Sequence, residues 1–182
     1  GNWDQGYEPN MSTESPIIAD VTNQPVISSD DGSSNDGNIS LEDITINSGA
    51  ELTINKGGSL TLTGDFINNS GSVYLESDSN EFSSIIVQGD ATGNITYKRF
   101  VNYASGGEWD LIGSPVDGLD INTFVSTNTS GTATLATNGV QYALGIFDNS
   151  NNDWSNYTSD GSGAGNINAA GNFDIGKGYQ MA

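Results

Sequence analysis

Short pairs of apolar residues, each pair separated by one residue, recur along the chain between Ile39 and Tyr97. The pairs are Ile44-Thr45-Ile46, Leu52-Thr53-Ile54, Leu60-Thr61-Leu62, Val73-Tyr74-Leu75, Ile85-Ile86-Val87 and Ile95-Thr96-Tyr97. In an extended chain, alternation points both outer members of a pair to one face. Gly, Asn, Ser and Asp fill the intervals, and these residues favour tight turns. The pattern therefore predicts short strands joined by sharp corners.

Strands this short bury their inner faces only when the chain coils into stacked turns, as in a β-solenoid. With three strands in each turn, one turn takes about 20–25 residues, which is within the usual range for such repeats. Asn or Asp at successive corners could stack as ladders. We predict an all-β protein, in which a short right-handed parallel β-solenoid, residues 38–97, is followed by a β-sandwich.

The two flanking regions differ from this repeat. Residues 1–37, with Pro16-Ile17-Ile18 and Pro25-Val26-Ile27, are predicted to be an entry segment that caps the first turn. Residues 98–182 contain longer strand candidates and more aromatic residues, and they are predicted to form a β-sandwich-like domain. No segment shows clear helical periodicity, and Val125–Ala136 is predicted to be loop or strand. We expect the chain to be a piece of a longer, processed protein.

The charge of the chain is strongly unbalanced. There are 4 Lys and Arg residues against 23 Asp and Glu residues, which gives a formal net charge of −19. Such a surface is unsuited to a phosphate backbone or to anionic lipid, so nucleic acid is not an expected partner. No apolar run approaches membrane-spanning length, so membrane insertion is not expected either. The acidity fits either a secreted protein kept in solution or the uptake of Ca²⁺ by loops rich in Asp and Asn.

The chain contains no His and no Cys. The Ser-His-Asp and Cys-His nucleophile systems are therefore absent. Glycosidases need two carboxylates at a set separation, and abundant acids alone do not supply that geometry. We expect a protein that is not an enzyme.

One acidic segment has the alternating oxygen ligands of a calcium loop. Asp148, Ser150 and Asn152 stand at its first, third and fifth positions. The sixth position is Asp153 rather than Gly, and the twelfth is Ser159 rather than Glu, so the segment is not an EF-hand. It is a candidate calcium site or a solvated hairpin turn.

Two other acidic clusters allow the same pair of interpretations. Asp30, Asp31 and Asp36 lie in a Gly- and Ser-rich loop, and Asp78 and Glu81 form a weaker cluster. Calcium is therefore the one cofactor that the sequence suggests.

Aromatic residues are concentrated in the second half of the chain. Trp109, Tyr142, Trp154, Tyr157 and Tyr179 could stack on sugar rings or pack in the core of a small sandwich. We expect Trp109, which is placed in the middle of a strand, to be in the core. Trp154 and Tyr157, beside the Asn-rich turn, are the candidate carbohydrate-contacting residues.

Several segments in order resemble a module found in secreted and cell-surface proteins of Bacteroidota. They are Trp3, Pro25-Val26-Ile27, residues 44–54, residues 58–69, residues 89–100, Trp109-Asp110-Leu111-Ile112-Gly113-Ser114-Pro115-Val116 and Gly176-Lys177-Gly178-Tyr179. The resemblance implies export by the type IX secretion route and a secreted or cell-surface location. It offers no catalytic residues.

Three functional hypotheses follow, of which a catalytic fragment is the last in rank. The first is a non-enzymatic extracellular structural or adhesion module of a bacterial surface or secreted protein. The alternative is a carbohydrate-binding appendage of a secreted polysaccharide-degrading enzyme. The partners expected are other domains of the same parent protein, together with polysaccharide or cell-surface components.

Overall fold

The computed structural model describes residues 9, 11–29, 37–101, 109–129 and 135–182. The chain divides into two compact units, Gly1–Phe100 and Val101–Ala182. The sequence placed this boundary slightly earlier, after Tyr97.

The described strands of the first unit are all short. They are β1 (Ile17–Ile18), β2 (Val26–Ile27), β3 (Asn38–Leu41), β4 (Ile44–Ile46), β5 (Glu51–Ile54), β6 (Ser59–Leu62), β7 (Phe66–Asn68), β8 (Ser72–Leu75), β9 (Ser84–Val87), β10 (Ala91–Thr92) and β11 (Thr96–Tyr97).

These strands form three parallel sheets, because successive strands enter different sheets and every third strand returns to the same one. The sheets have the orders β1-β4-β7-β10, β2-β5-β8-β11 and β3-β6-β9. Thr53 is paired with Tyr74, 21 positions later, and Ile17 is paired with Thr45, 28 positions later. All other pairings fall between these separations. The predicted parallel solenoid is therefore confirmed. Its longest coil is slightly longer than the coil length that the sequence predicted.

The core of the solenoid is built from the inward side chains of all three sheets. Ile46, Ile54 and Leu62 are fully buried, and Leu75 is 3% exposed. They alternate with outward residues such as Thr53 and Thr61, as the pleat of a strand requires.

The predicted entry segment contributes to the solenoid itself. β1 pairs with β4, and β2 pairs with β5, both in parallel. Ile18 and Ile27 are each 3% exposed and belong to the core. A two-residue strand supplies only one inward side chain and shows no alternation, so the sequence placed the start of the solenoid too late, at residue 38.

One corner of the solenoid is held by stacked aspartates, which we call the aspartate ladder: Asp43, Asp65 and Asp90. The backbone N–H of Asp65 donates to Oδ1 of Asp43 at 2.7 Å, and the backbone N–H of Asp90 donates to Oδ1 of Asp65 at 2.8 Å. The hydroxyl of Ser15 donates to Oδ2 of Asp43 at 3.0 Å. The carboxylates of Asp43 and Asp65 therefore each bind the backbone of the next coil, as the sequence suggested for its corners.

The residue before each upper rung of the ladder is glycine. A Cβ on Gly64 would overlap Oδ1 of Asp43, and one on Gly89 would overlap Oδ1 of Asp65. The Gly-Asp order at these corners is needed because the carboxylate of the preceding coil occupies that space.

In the second unit, the strands that the structure describes form one antiparallel sheet. Its strands are β12 (Asp110–Ile112), β13 (Thr137–Asn138), β14 (Gln141–Asp148), β15 (Asp153–Thr158) and β16 (Tyr179–Met181). The order is β12-β16-β14-β13, and β15 also pairs with β14. Leu144, Tyr179 and Met181 lie in the core on one side of this sheet.

The same core contains the helix α1 (Ile121–Asn128) and a short 3-10 helix (Ile167–Ala169). The backbone N–H of Thr123 donates to the carboxylate of Asp120 at 2.7 Å, which caps the start of α1. Ile121 and Val125 are buried, and Phe124 contacts Phe173 edge-to-face with ring centroids 5.4 Å apart. The prediction of loop or strand for Val125–Ala136 is wrong for the part that lies in α1.

The all-β class is confirmed, as a parallel solenoid followed by an antiparallel sheet. In the part of the second unit that the structure describes, α1 packs where a β-sandwich would have its second sheet. Among the described residues, no helix has the length and apolarity needed to cross a membrane.

The aspartate ladder generates a stability prediction. Asp65→Ala should lower the free energy of unfolding by about 1–2 kcal/mol, because the N–H of Asp90 loses its acceptor. Asp65→Asn is the matched control, since its amide oxygen can accept the same N–H and should retain most of the stability. Amide hydrogen exchange at Asp90 should accelerate in Asp65→Ala and stay near native in Asp65→Asn. Equal destabilisation by both variants would show that the charge, rather than the acceptor, matters.

Candidate functional site

The candidate residues of the second unit are grouped on the hairpin of β14 and β15. The two strands pair with Phe147 opposite Trp154 and Asp148 opposite Asp153. Asn152 in the connecting turn has a left-handed backbone with φ of 53°, a conformation that Asn tolerates better than most residues. The hairpin expected between Phe147 and Trp154 is therefore present.

The carboxylate of Asp148 is hydrogen-bonded within this turn. Its Oδ1 accepts from the backbone N–H of Ser150 at 2.8 Å, and its Oδ2 accepts from Nδ2 of Asn151 at 2.7 Å. These hydrogen bonds hold the pKa of Asp148 below its usual value. The arrangement is that of an Asp-initiated turn. Calcium binding by Asp148, Ser150 and Asn152 stays a prediction.

The other acidic candidates are less informative. Asp30, Asp31 and Asp36 lie outside the described residues, and calcium binding by them stays a prediction. Within the described ranges, no group of three or more acidic side chains gathers as it would around a metal ion.

The third acidic cluster is an ion-paired turn. Asp78 accepts hydrogen bonds from Nζ of Lys56 and from the backbone N–H groups of Asn80, at 2.8 Å, and Glu81, at 3.0 Å. The Lys56 ammonium and these N–H groups lower the pKa of Asp78 to about 2. The same pairing raises the pKa of Lys56. This carboxylate therefore joins one corner of the solenoid to the next.

The two candidate carbohydrate residues lie on opposite faces of the sheet. Trp154 is partly buried and contacts Phe147 edge-to-face, with ring centroids 5.4 Å apart. Tyr157 is 7% exposed and packs in the core, where burial raises its pKa. The expectation that Tyr157 stacks on a sugar is wrong, because residues three apart on a strand point to opposite sides.

The remaining aromatic candidates also separate into core and surface. Tyr179 is buried, whereas Trp109, expected in the core, is 40% exposed. Two apolar residues that the sequence did not indicate as site residues are also exposed, Leu111 at 70% and Phe147 at 39%. The sequence could have indicated that Leu111 is exposed, because only one of two adjacent strand residues, here Ile112, can face the core.

All of residues 1–182 match the model of a protein family described as "Domain of unknown function (DUF8693)". The chain belongs to this family. A search of curated proteins and a search of solved structures each find no match. The description of the family assigns no chemistry to its members.

The Asp78–Lys56 pair generates a pH prediction. In a ¹³C NMR titration, the carboxyl carbon of Asp78 should titrate near pH 2, and Lys56→Gln should move the midpoint up towards the usual value of 3.8. The pKa of Asp78 is lower in the folded protein than in the unfolded chain, so its ionised carboxylate stabilises the fold. This stabilisation of the fold is fully present above the unfolded pKa and is lost as pH falls through about 2. An unchanged midpoint in Lys56→Gln would contradict the assigned cause.

The acidic loops generate a metal prediction. If they bind calcium, the melting temperature should rise with free Ca²⁺, because a ligand that binds only the folded state stabilises it by about 2.7 kcal/mol at 100 times its Kd. Mg²⁺ should have much less effect, since it retains its water and requires a smaller octahedral site. Asp148→Ala tests one loop, and the triple change Asp30→Asn, Asp31→Asn and Asp36→Asn tests the other. Identical melting curves in EDTA and in Ca²⁺ would contradict calcium binding.

Proposed function

We propose that this DUF8693 chain is a non-enzymatic extracellular module that acts as a structural spacer or adhesion element. The observation that carries the proposal is the unbroken core of the first unit. It extends from Ile18 through every coil to Leu75, and the side chains of Ile85, Val87, Ile95 and Tyr97 pack against it. A stack of coils in which each contacts only its neighbours is a natural rigid spacer.

Hydrogen bonds between coils support the rigidity of this spacer. Asn68 is buried at 7% exposure, in the position that Ile46 occupies one coil earlier. Its Nδ2 donates to the carbonyl of Asn94 at 2.6 Å and of Gly71 at 3.1 Å, and its Oδ1 accepts from the N–H of Gly71 at 2.8 Å. A buried amide with its groups satisfied in this way joins two coils at a defined separation.

Contacts of basic side chains on the outside of the solenoid also hold neighbouring coils together. Nζ of Lys98 lies 2.5 Å from Oε1 of Glu76 on the preceding coil and 4.8 Å from the ring centroid of Tyr74. The guanidinium carbon of Arg99 lies 3.7 Å from the ring centroid of Phe82. The two adjacent basic residues thus pair with groups of the solenoid unit, which leaves the surface of the chain overwhelmingly acidic.

The proposed location rests on composition and on the resemblance to exported Bacteroidota modules. A net charge of −19 favours solubility outside the cell and disfavours adhesion to anionic surfaces. Without His or Cys, the chain lacks the common nucleophile–base pairs, which supports a non-enzymatic role. Other domains of the parent protein are the expected partners of a spacer.

The spacer proposal predicts a narrow distance between the first and the last coil. Because the chain has no cysteine, spin labels can be attached at Ile17→Cys and Thr92→Cys. These exposed positions lie in line on the sheet β1-β4-β7-β10, three strand steps or about 14 Å apart. Electron paramagnetic resonance should give one narrow distance distribution that persists until the solenoid melts.

The control places the same labels in a Leu62→Asp background, where an unpaired buried carboxylate should unfold the coils and broaden the distribution. A broad distribution in the native background, at temperatures at which circular dichroism shows folded protein, would refute a rigid spacer.

A further inference from the structure

The outer face of the antiparallel sheet, opposite the core of the second unit, carries an ordered row of side chains. Leu111 is opposite Gln180, Gln180 is opposite Gly145, and Gly145 is opposite Asn156. Residues directly opposite each other on paired strands share a face. We call this set the amide row: Leu111, Gln180, Gly145 and Asn156. It crosses four strands, a width of about 14 Å.

The two amides of the row are bonded to each other. Nε2 of Gln180 donates to Oδ1 of Asn156 at 2.7 Å, and the Gln180 side chain is held at 8% exposure. A Cβ on Gly145 would lie 2.5 Å from Oδ1 of Asn156 and 3.0 Å from Nε2 of Gln180, so glycine makes room for this bond. The bond leaves the two N–H donors of Asn156 for other partners.

Apolar groups flank the amide row on the same face. Phe147 lies two residues after Gly145 and is opposite Trp154, so both rings share the face of the row. Continuing the register of β14 and β16 by one residue places Gly178 opposite Phe147, and nothing lies within 4 Å of a Cβ built on Gly178. Leu111, at the other end of the row, is 70% exposed. The face therefore combines fixed amides with accessible apolar surface.

The described residues of this face are also uncharged, although the chain carries a net charge of −19. The amide row, Phe147 and Trp154 include no acidic or basic side chain. Sugar rings have apolar faces that stack on aromatic rings and hydroxyls that bond to amides. A second copy of the chain would bring a like charge of −19 towards this surface, which disfavours self-association.

We infer that the amide row, with Phe147 and Trp154, binds a chain of a neutral polysaccharide. The aromatic pair stacks on a sugar ring, and the N–H groups of Asn156, whose oxygen is held by Gln180, donate to its hydroxyls. This adds a binding activity to the spacer role and does not depend on it, because the row belongs to the second unit and the spacer to the first.

The test is affinity electrophoresis of the full 182-residue chain through gels that contain barley β-glucan, xyloglucan, galactomannan or, as the anionic comparison, alginate. At least one neutral polysaccharide should retard the native chain saturably, and neither added salt nor EDTA should weaken the binding, since no ion pair or metal contributes. Trp154→Ala and Leu111→Asp should each weaken the binding roughly tenfold or more, because the first removes a stacking ring and the second places a carboxylate on the apolar end of the row.

Leu111→Asp is the decisive variant, because its exposed position tolerates substitution without unfolding. Ile86→Asp is its matched control: it adds the same charge at an apolar residue 56% exposed on the solenoid, and it should bind as the native chain does. Melting curves should show that both variants are folded.

Three results would overturn the inference: no retardation by any neutral polysaccharide, native binding by Leu111→Asp, or equal loss in Ile86→Asp. A dimer in analytical ultracentrifugation that Leu111→Asp dissociates would also overturn it, since the face would then be an interface between copies. A broad spin-label distance would refute the spacer and leave this inference standing.

Discussion

Parallel pairing at a separation of one coil is the constraint on which the first unit depends. Leu60 aligns with Ile85 in one sheet, and Leu52 aligns with Val73 in another, so the inward side chains of each coil rest on those of the next. A strand of two to four residues has no stability by itself. The register couples all of them, and the aspartate ladder and Asn68 fix it at the corners with hydrogen bonds that only an aligned coil can make.

The sequence predicted most strands in which two inward residues flank an outward one, as Leu60 and Leu62 flank Thr61, although it did not name β3, where Ile39 and Leu41 are inward. It missed β7, where Asn68 stands at an inward position and interrupts the apolar alternation, although its amide is fully bonded there. It also missed α1, because Ile121, Phe124 and Val125 are too few apolar residues to show a helical period over such a short segment. Tertiary packing against the sheet, rather than propensity, decides that helix.

The candidate site shows the same division between local and long-range information. Strand alternation alone places Trp154 and Tyr157 on opposite faces of the sheet, so the sequence could have shown that they do not form one binding surface. The bond between Gln180 and Asn156 was not, because it depends on the register of strands distant in the chain, with Gly145 between them. The first unit thus supplies a stack of parallel coils, and the second supplies an antiparallel sheet whose outer face combines amides with aromatic rings.

The most direct test of this account is an NMR measurement of contacts between backbone protons in the first unit. Parallel coiling predicts cross-strand nuclear Overhauser effects between Thr45 and Ile67, Leu52 and Val73, and Leu60 and Ile85, in all three sheets of the same molecule. Contacts between successive strands, such as Ile44–Ile46 with Glu51–Ile54 in an antiparallel hairpin, would contradict the solenoid and the spacer built on it.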